Sequence, residues 1–237
     1  MTDKTAFVFG VGPGLGAAVA RRFAREGFAI GLLARKDASV EPVEKELAAS
    51  GVRVARALAD ATDPASVRAG IASVTGALGV PEVFVYNAGA FKMGGILDVT
   101  PAEFDDCWKA NCAGAFYSSR EILPGMLAKK RGTILLTGAT ASMRGSARFS
   151  CLAVGKFGLR ALAQSMAREF GPQGIHVAHV VVDGQIDLPR TRQMMPSRAD
   201  DTFLSPDAIA ETYYQLHMQH HTAWTLEVDV RPSAEKF

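Results

Sequence analysis

A turn near the N-terminus has the glycine spacing that a dinucleotide-binding site needs. It reads Gly10-Val-Gly-Pro-Gly-Leu-Gly16 and separates an apolar, strand-like run from an amphipathic, helix-like one. Glycine suits such a turn because the chain bends sharply and its backbone must approach a pyrophosphate closely. Free amides and the dipole at the start of the helix then favour the negative charge. The residues expected to border the pyrophosphate are Gly10, Gly12, Pro13, Gly14, Leu15 and Gly16.

Two cations, Arg35 and Lys36, follow the second strand-like run, which ends at Ala34. Proteins that bind NAD usually carry an acidic residue here for the ribose 2′-hydroxyl, whereas an arginine suits a 2′-phosphate. Bidentate, charge-assisted hydrogen bonds make Arg35 the expected phosphate clamp, with Lys36 beside it. The pair predicts NADP(H) as the cofactor. NAD(H) stays an alternative because Asp37 is adjacent, and a solvated basic turn would explain the two cations without any ligand.

Strand-like and helix-like segments alternate almost from end to end, and this pattern predicts the fold. The predicted strands cover residues 5–10, 28–34, 52–58, 82–86, 132–137, 175–182 and 223–230. The predicted helices cover residues 15–27, 39–50, 64–78, 101–128, 152–170 and 205–219. Such alternation implies an α/β, Rossmann-type fold, a doubly wound parallel sheet with helices on both faces. The polar segment 187–204 is predicted to be a mobile loop or lid beside the site.

Length and composition favour one domain over residues 1–237, because no linker or repeat divides the chain. A hydrophobic content of 48% supplies an ordinary core. The net charge of +2 is too small to indicate nucleic acid or an anionic membrane surface as a partner. No apolar run approaches the roughly 20 residues of a membrane span, and no signal peptide is recognised at the start. A cytoplasmic location is therefore expected.

Cysteines and histidines do not form a metal-binding pattern. Cys107, Cys112 and Cys151 are odd in number and match no metal-ligand spacing, so they are predicted to be free thiols. His217 and His221 stand four apart and would share a helical face, but no third ligand follows at a useful spacing. We therefore predict no metal site.

Two further motifs follow the third and fourth predicted strands, Asp60-Ala61 and Asn87-Ala88-Gly89. Together with Gly10-xxx-Gly14-x-Gly16 they resemble the classical short-chain dehydrogenase/reductase family, over about residues 5–230. The resemblance implies an oxidoreductase that acts on a small carbonyl or alcohol substrate. It also implies a homodimer or homotetramer built through the two long helices around the fifth strand. The residues that this resemblance assigns to the adenine and its ribose are Asp60, Ala61, Asn87, Ala88 and Gly89.

The same resemblance assigns roles near the nicotinamide. Asn111, in Lys109-Ala-Asn-Cys-Ala-Gly114, would help hold a catalytic water, and Lys156 would bond the nicotinamide ribose. Gly184 and Ile186 follow the sixth strand, where the family passes the nicotinamide, and are expected to contact the cofactor. The substrate pocket would be walled by segments 91–98, 140–149 and 187–204.

The chain departs from the family at its central signature. The family places a tyrosine four residues before the lysine and a serine thirteen residues before that tyrosine, and these positions are Leu152 and Ala139 here. Leucine has no proton to give to a developing alkoxide, and losing general-acid help typically costs about 10²–10⁴ in rate. Asp183, or else Asp187, is our candidate for a replacement acid or base. Either carboxylate could instead bind a cationic substrate group or cap the following segment.

Hydroxyl groups in the loop after the fifth strand offer another source of the proton. Thr140, Ser142 and Ser146 could each stand in for Ala139, or they could be solvated loop residues. Two functions therefore stay open. One is an NADP(H)-dependent oxidoreductase with a non-standard proton donor, and the other is a catalytically silent dinucleotide-binding protein that serves as a sensor or scaffold. Asn111 and Lys156 favour the first function, whereas the absence of the tyrosine and serine favours the second. Nothing in the sequence selects a non-redox lyase or isomerase.

Overall fold

Seven parallel strands form the central sheet in the computed structural model, which describes residues 4–234. The strands are β1 (Thr5–Phe9), β2 (Ala29–Ala34), β3 (Val54–Leu58), β4 (Val83–Tyr86), β5 (Gly132–Thr137), β6 (Ile175–Val182) and β9 (Glu227–Val230). Their order is β3-β2-β1-β4-β5-β6-β9, and every neighbouring pair is parallel. This arrangement confirms the predicted doubly wound Rossmann-type sheet. The order reverses at β1 and β4, where such folds open a crevice at the carboxyl ends of the strands.

Helices cover both faces of the sheet. They are α1 (Leu15–Arg25), α2 (Asp37–Ala49), α3 (Pro64–Leu78), α4 (Pro101–Trp108), α5 (Gly114–Lys129), α6 (Ser150–Phe170), α7 (Pro189–Met194) and α8 (Pro206–His217). One apolar layer joins α1, α2 and α8 to the sheet, and the other joins α3, α5 and α6 to its opposite face. Because both faces are covered, β1 and β6 are buried along their whole length and are mostly apolar. Within residues 4–234 no helix is long and apolar enough to cross a membrane.

The predicted helix over residues 101–128 is interrupted. A π-helical turn over Lys109–Ala113 separates α4 from α5, and Asn111 lies in the middle of it. A π-turn adds one residue to the helical repeat and so changes which side chains face the sheet. Amphipathic periodicity does not reveal this insertion, because the interruption is shorter than two turns of helix.

Residues 187–204, which the sequence predicts to be a mobile loop or lid, contain two short regular elements. The segment contains α7, and its last two residues form β8 (Phe203–Leu204), which pairs with β7 (Gln185–Ile186). No residue of α7 is buried, so no apolar stripe announced the helix. Charge contacts hold it instead: Arg192 donates to Asp187 Oδ1 at 2.6 Å and also contacts Asp200.

Candidate functional site

The glycine turn after β1 is packed so closely that two of its glycines cannot carry a side chain. Gly10 has a φ of 97°, and a Cβ atom there would lie 2.3 Å from the backbone nitrogen of Ala88. A Cβ atom on Gly16 would lie 2.5 Å from the carbonyl oxygen of Gly10. Gly12 differs, since nothing lies within 4 Å of the position its Cβ would take. The turn is therefore tight on its protein side and open at Gly12.

The Asn87-Ala88-Gly89 segment holds this turn in place from the neighbouring strand. The side chain of Asn87 donates to the carbonyl oxygen of Gly10 at 2.9 Å, and its backbone nitrogen donates to Phe9 at 2.7 Å. Gly89, the last residue of this segment, lies near Asn111 and Lys156. A Cβ atom there would lie 2.8 Å from Asn111 Oδ1 and 3.7 Å from Lys156 Nζ.

An open cleft of about 540 Å³ lies at the carboxyl ends of β1, β2, β3 and β4. It brings together nine of the residues that the sequence predicted for the cofactor, namely Gly10, Gly12, Arg35, Lys36, Asp60, Ala61, Asn87, Ala88 and Gly89. Pro13, Gly14, Leu15 and Gly16 are not in its lining but lie in the turn and first residues of α1. The sequence did not assign nine lining residues to the cofactor, and these are Phe9, Val11, Ala34, Ser39, Ala59, Thr62, Ala90, Phe91 and Ala110, of which Phe91 was expected in the wall of the substrate pocket. The polar pair Asp60 and Thr62, two apart after a strand, was the signal available for one of them.

Asp60 is held as a carboxylate at the floor of the cleft. Burial alone would raise the pKa of its carboxyl, but hydrogen bonds from the amide of Thr62 at 2.9 Å and its hydroxyl at 2.8 Å lower the pKa below its usual value. The nearby charge of Arg35 acts in the same direction. The carboxylate is thus fixed in one orientation.

The basic pair lies at the rim of the cleft. Arg35 and Lys36 are exposed, and over the described residues neither forms an ion pair. Asp37, the carboxylate that could have offset them, pairs with Arg56 of β3. Two positive charges therefore face the cleft without a partner carboxylate of their own.

Asn111 and Lys156 meet at the opposite end from Arg35. Asn111 is fully buried, and its amide nitrogen donates to the carbonyls of Ala90 at 2.7 Å and Cys107 at 2.9 Å. Its Oδ1 has no hydrogen-bond partner within residues 4–234. Lys156 donates to the carbonyl of Thr137 at 2.7 Å, and burial lowers the pKa of its ammonium to about 8. An orphaned acceptor and a buried lysine with spare donors can both receive a polar ligand.

The turn after β5 approaches the end of β6 through a side-chain contact. The hydroxyl of Thr140 donates to Oδ1 of Asp183, and Arg231 lies 3.4 Å from the other oxygen of that carboxylate. Asp187, the alternative carboxylate, is occupied by Arg192 instead. Leu152 and Ala139 are half-buried and carry no polar side-chain group.

The other two candidate hydroxyls differ in exposure, and the residues predicted after β6 lie outside the cleft. Ser142 is fully buried and accepts from the amide of Ala139 at 3.1 Å, whereas Ser146 is exposed. Gly184, with a φ of 152°, and Ile186 of β7 lie beyond the 540 Å³ cleft.

The cysteines and the two histidines that were considered as metal ligands lie outside the lining of the cleft. The three cysteines are free. His217 is half-buried and its Nδ1 lies 3.0 Å from the hydroxyl of Thr133, whereas His221 is exposed. Over the part of the chain that the structure describes, no three histidine, cysteine or carboxylate side chains cluster as metal ligands would.

Comparison with known proteins identifies the family. Residues 4–197 match the family model described as short chain dehydrogenase. The chain is 30% identical to the oxidoreductase UcpA of Salmonella typhimurium over 203 residues, which is 85% of this chain and 76% of the relative. It is 33% identical over 189 residues to a short-chain dehydrogenase/reductase of Armillaria gallica, which is 78% of this chain and 72% of the relative.

Solved structures agree with the sequence relatives. A short-chain dehydrogenase from Rhodopseudomonas palustris is 38% identical, with a TM-score of 0.83 over 97% of this chain and 98% of the other. A metagenomic short-chain oxidoreductase, solved in complex with NADP, is 28% identical, with a TM-score of 0.84 over 97% of both chains. The glycine turn, the sheet order and these matches agree, and the chain belongs to the short-chain dehydrogenase/reductase family.

Proposed function

We propose that this protein is an NADP(H)-dependent oxidoreductase that interconverts a carbonyl and an alcohol on a small-molecule substrate. One observation carries the proposal. Gly89 lines the cleft together with the glycine turn, and the same residue lies against a buried lysine, Lys156, and an orphaned amide oxygen, Asn111 Oδ1. A purely structural fold would gain nothing by burying a lysine whose ammonium is costly to desolvate.

The cradle of the cleft fits a dinucleotide. The turn is closed to side chains at Gly10 and Gly16 and open at Gly12, which leaves room for a pyrophosphate beside the first amides of α1. Arg35 and Lys36 supply positive charge where a ribose 2′-phosphate would lie, while Asp37 is neutralised by Arg56. The NADP complex of the metagenomic relative supports the same preference. NAD(H) is the alternative, and the two are separated by their dissociation constants.

Hydride transfer would be the chemistry that the bound nicotinamide supplies. This chain's own residues must then orient the reactants and move a proton. Lys156, with a pKa near 8, can donate to ribose hydroxyls as an ammonium, and Asn111 Oδ1 can accept from a water or hydroxyl beside it. The two groups are close enough to act together, since both lie within 4 Å of the same point above Gly89.

The proton donor is non-standard in this proposal. Leu152 and Ala139 offer no hydroxyl, and the Thr140–Asp183 pair supplies one instead. In alcohol oxidation, the Thr140 hydroxyl would take the proton of the substrate alcohol while passing its own proton to the Asp183 carboxylate. Carbonyl reduction would run the same transfers backwards. The pair lies at the carboxyl ends of β5 and β6, where the family carries out its chemistry.

The test begins with binding and continues with turnover. We expect NADPH to bind more tightly than NADH in a fluorescence titration, and a panel of aldehydes, ketones, quinones and imines to include a substrate that oxidises NADPH. Leu152→Tyr, which restores the family's acid beside Lys156, should raise a slow rate by about 10² or more. Tight binding with no turnover in either protein would favour the silent sensor or scaffold, and no binding of either nucleotide would overturn both functions.

We also propose a homodimer or homotetramer, formed through the helices that flank β5. Trp108, Phe116, Val154 and Phe157 lie on α4, α5 and α6 and are 40–46% exposed. Exposed apolar side chains on these three helices are typical of a subunit interface. Phe157→Glu should shift the sedimentation coefficient toward the monomer, whereas Leu97→Glu, on a fully exposed loop, should leave it unchanged.

A cytoplasmic location stays a prediction of the sequence. Its support is the balance of charge and the three free thiols, which suit a reducing compartment. Fractionation of cells that express the tagged full chain would test it, and recovery with the membrane or periplasmic fraction would contradict it.

A further inference from the structure

A buried histidine with one unused nitrogen lies behind the turn that carries Thr140. His179 is on β6 and is 1% exposed. Its Nδ1 lies 2.9 Å from Oε2 of Glu227, and its Nε2 has no partner over residues 4–234. An unpaired polar nitrogen at such depth destabilises the folded state, so its retention calls for a role.

The tautomer of this histidine follows from its neighbours. Glu227 is held as a carboxylate by two hydrogen bonds from Arg160, at 2.6 and 2.8 Å. A carboxylate can only accept, so Nδ1 of His179 must carry the proton that lies between them. Burial lowers the pKa of His179, which keeps the ring neutral at pH 7. Nε2 is then a bare acceptor.

That acceptor faces the turn after β5. A Cβ atom placed on Gly138 would lie 2.2 Å from Nε2 of His179 and 3.0 Å from the hydroxyl oxygen of Ser142. The imidazole and the Ser142 hydroxyl therefore crowd the same side of Gly138, and glycine is required there because any side chain would separate them. Ser142 is fully buried and accepts from the amide of Ala139, which leaves its own proton available to donate.

We propose that His179 is a positioning residue: a small adjustment of the turn over residues 138–142 brings the Ser142 hydroxyl, which is not bonded to Nε2 in the structure, into a hydrogen bond that Nε2 accepts, and this bond fixes the turn. The chain of contacts then runs from Arg160 through Glu227 and His179 to Ser142 and the amide of Ala139. Thr140, one residue further on, is aimed at Asp183 by the same turn. The catalytic consequence rests on the proposed function, whereas the contact itself does not.

The variants can separate this contact from general packing. His179→Asn keeps an amide donor near the Nδ1 position and removes the acceptor at Nε2. Ser142→Ala removes the donor. The matched control is His176→Asn, because His176 is also buried on β6 but faces the opposite side of the sheet, where it stacks on Trp224.

Two readouts do not require turnover. Ring-nitrogen chemical shifts of the cofactor-free protein should show the proton of His179 on Nδ1, with an Nε2 resonance that moves in Ser142→Ala. The exchange of the Ala139 amide should speed up at least tenfold in both variants and stay unchanged in His176→Asn. A proton on Nε2, or an Nε2 resonance that ignores Ser142→Ala, would overturn the proposed contact.

Kinetics test the positioning role. Each variant should lower kcat by roughly 10–100-fold while the NADPH dissociation constant stays within a factor of two, because a misplaced turn affects the reacting atoms alone. The double variant should be no slower than the slower single one. Lowering the pH should reduce kcat in the wild type only, because His179 then takes a second proton on Nε2. The charged groups that face His179 are Glu227, Arg160 and Lys156. Additive losses of kcat in the double variant would contradict a shared contact. Absence of turnover in the wild type would reject the proposed function. In that case the chemical shifts and the amide exchange would still decide whether the contact exists.

Discussion

The hydroxyl of Thr140 donates a hydrogen bond to the carboxylate of Asp183, which joins the turn after β5 to the end of β6. These two strands are adjacent and parallel, so their carboxyl ends lie at the same edge of the sheet as the glycine turn. Arg231 approaches the second oxygen of Asp183 at 3.4 Å. A hydroxyl backed by a carboxylate is the arrangement that general-base chemistry uses.

Removing either member of this pair should slow catalysis far more than it weakens binding. We expect Asp183→Asn and Thr140→Val each to lower kcat by about 10²–10⁴, the usual contribution of general acid–base help. Asn at 183 can still accept from Thr140 but cannot take up its proton. Steady-state kinetics with NADPH and the substrate found in the panel would measure the effect.

The control for this pair is Asp187→Asn, since Asp187 is bound by Arg192 and lies away from Thr140. It should keep kcat within about threefold of the wild type, the effect of a surface change of about 0.5 kcal/mol. An unchanged rate in Asp183→Asn would remove this carboxylate from the mechanism. A large loss only in Asp187→Asn would transfer the role to that residue.

The sequence predicted the sheet, and it suggested residues for a cofactor end of the site, because both depend on local signals. Buried parallel strands such as β1 are continuous apolar runs, and the Gly10 turn is encoded within a few residues. The Thr140–Asp183 contact joins residues 43 apart in sequence, so no local pattern reveals it. Asp183 and Asp187 were both candidates, and their partners distinguish them: Asp183 accepts a hydrogen bond from Thr140, whereas Asp187 is bound by Arg192.

Arg35 should control the choice between the two nicotinamide dinucleotides. Hydrogen bonds to a charged group contribute about 1.5–3 kcal/mol, so Arg35→Ala should weaken NADPH binding by about 10–100-fold. NADH lacks the 2′-phosphate and its affinity should hardly change. Parallel fluorescence titrations of both nucleotides give the measurement and its internal control. Equal losses for both would show that Arg35 does not recognise the 2′-phosphate.

The glycines of the turn should separate stability from binding. Gly16→Ala places a methyl group 2.5 Å from the carbonyl of Gly10, and such overpacking costs about 1–3 kcal/mol of unfolding free energy. Gly12→Ala meets no atom within 4 Å, so its unfolding free energy should stay within about 0.5 kcal/mol of the wild type. Its methyl group would, however, enter the cleft and weaken NADPH binding. Urea denaturation and nucleotide titration of both variants test the contrast, and a destabilised Gly12→Ala would contradict it.

Lys156 should give nucleotide binding an alkaline limit. Burial lowers the pKa of its ammonium to about 8, so above pH 8 the folded protein loses the charge that would bind the ribose. If only the ammonium binds, the NADPH dissociation constant should rise by about tenfold for each pH unit above 8. Lys156→Arg keeps a charge at every accessible pH and should bind with no such limit. A limit that persists in this variant would assign the titration to another group.

Interactions buried under α8 also escape a reading of the sequence. His217 and His221 looked like a pair on one helical face, but α8 ends at His217, which turns inward against Thr133, and His221 lies in the following turn. Helix ends are decided by tertiary packing and capping more than by periodicity. The two histidines therefore have different environments, and this difference supports a last prediction.

His217 should make the fold sensitive to mild acid. Burial, with smaller contributions from Arg131 and Lys4, lowers the pKa of its imidazole to about 4, whereas the unfolded chain would titrate near 6.5. Between these values the unfolded state binds a proton that the folded state does not, so stability is highest above pH 6.5 and falls as the pH drops toward 4. From pH 7.5 to 5 the free energy of unfolding should fall by about 2 kcal/mol.

His217→Gln can still bond to Thr133 but does not titrate. Urea denaturation of this variant should therefore show a loss of unfolding free energy that is smaller by that amount over the same pH range. His221→Gln, at an exposed position, is the control and should retain the full wild-type loss; an equal pH dependence in all three proteins would show that His217 does not titrate on unfolding.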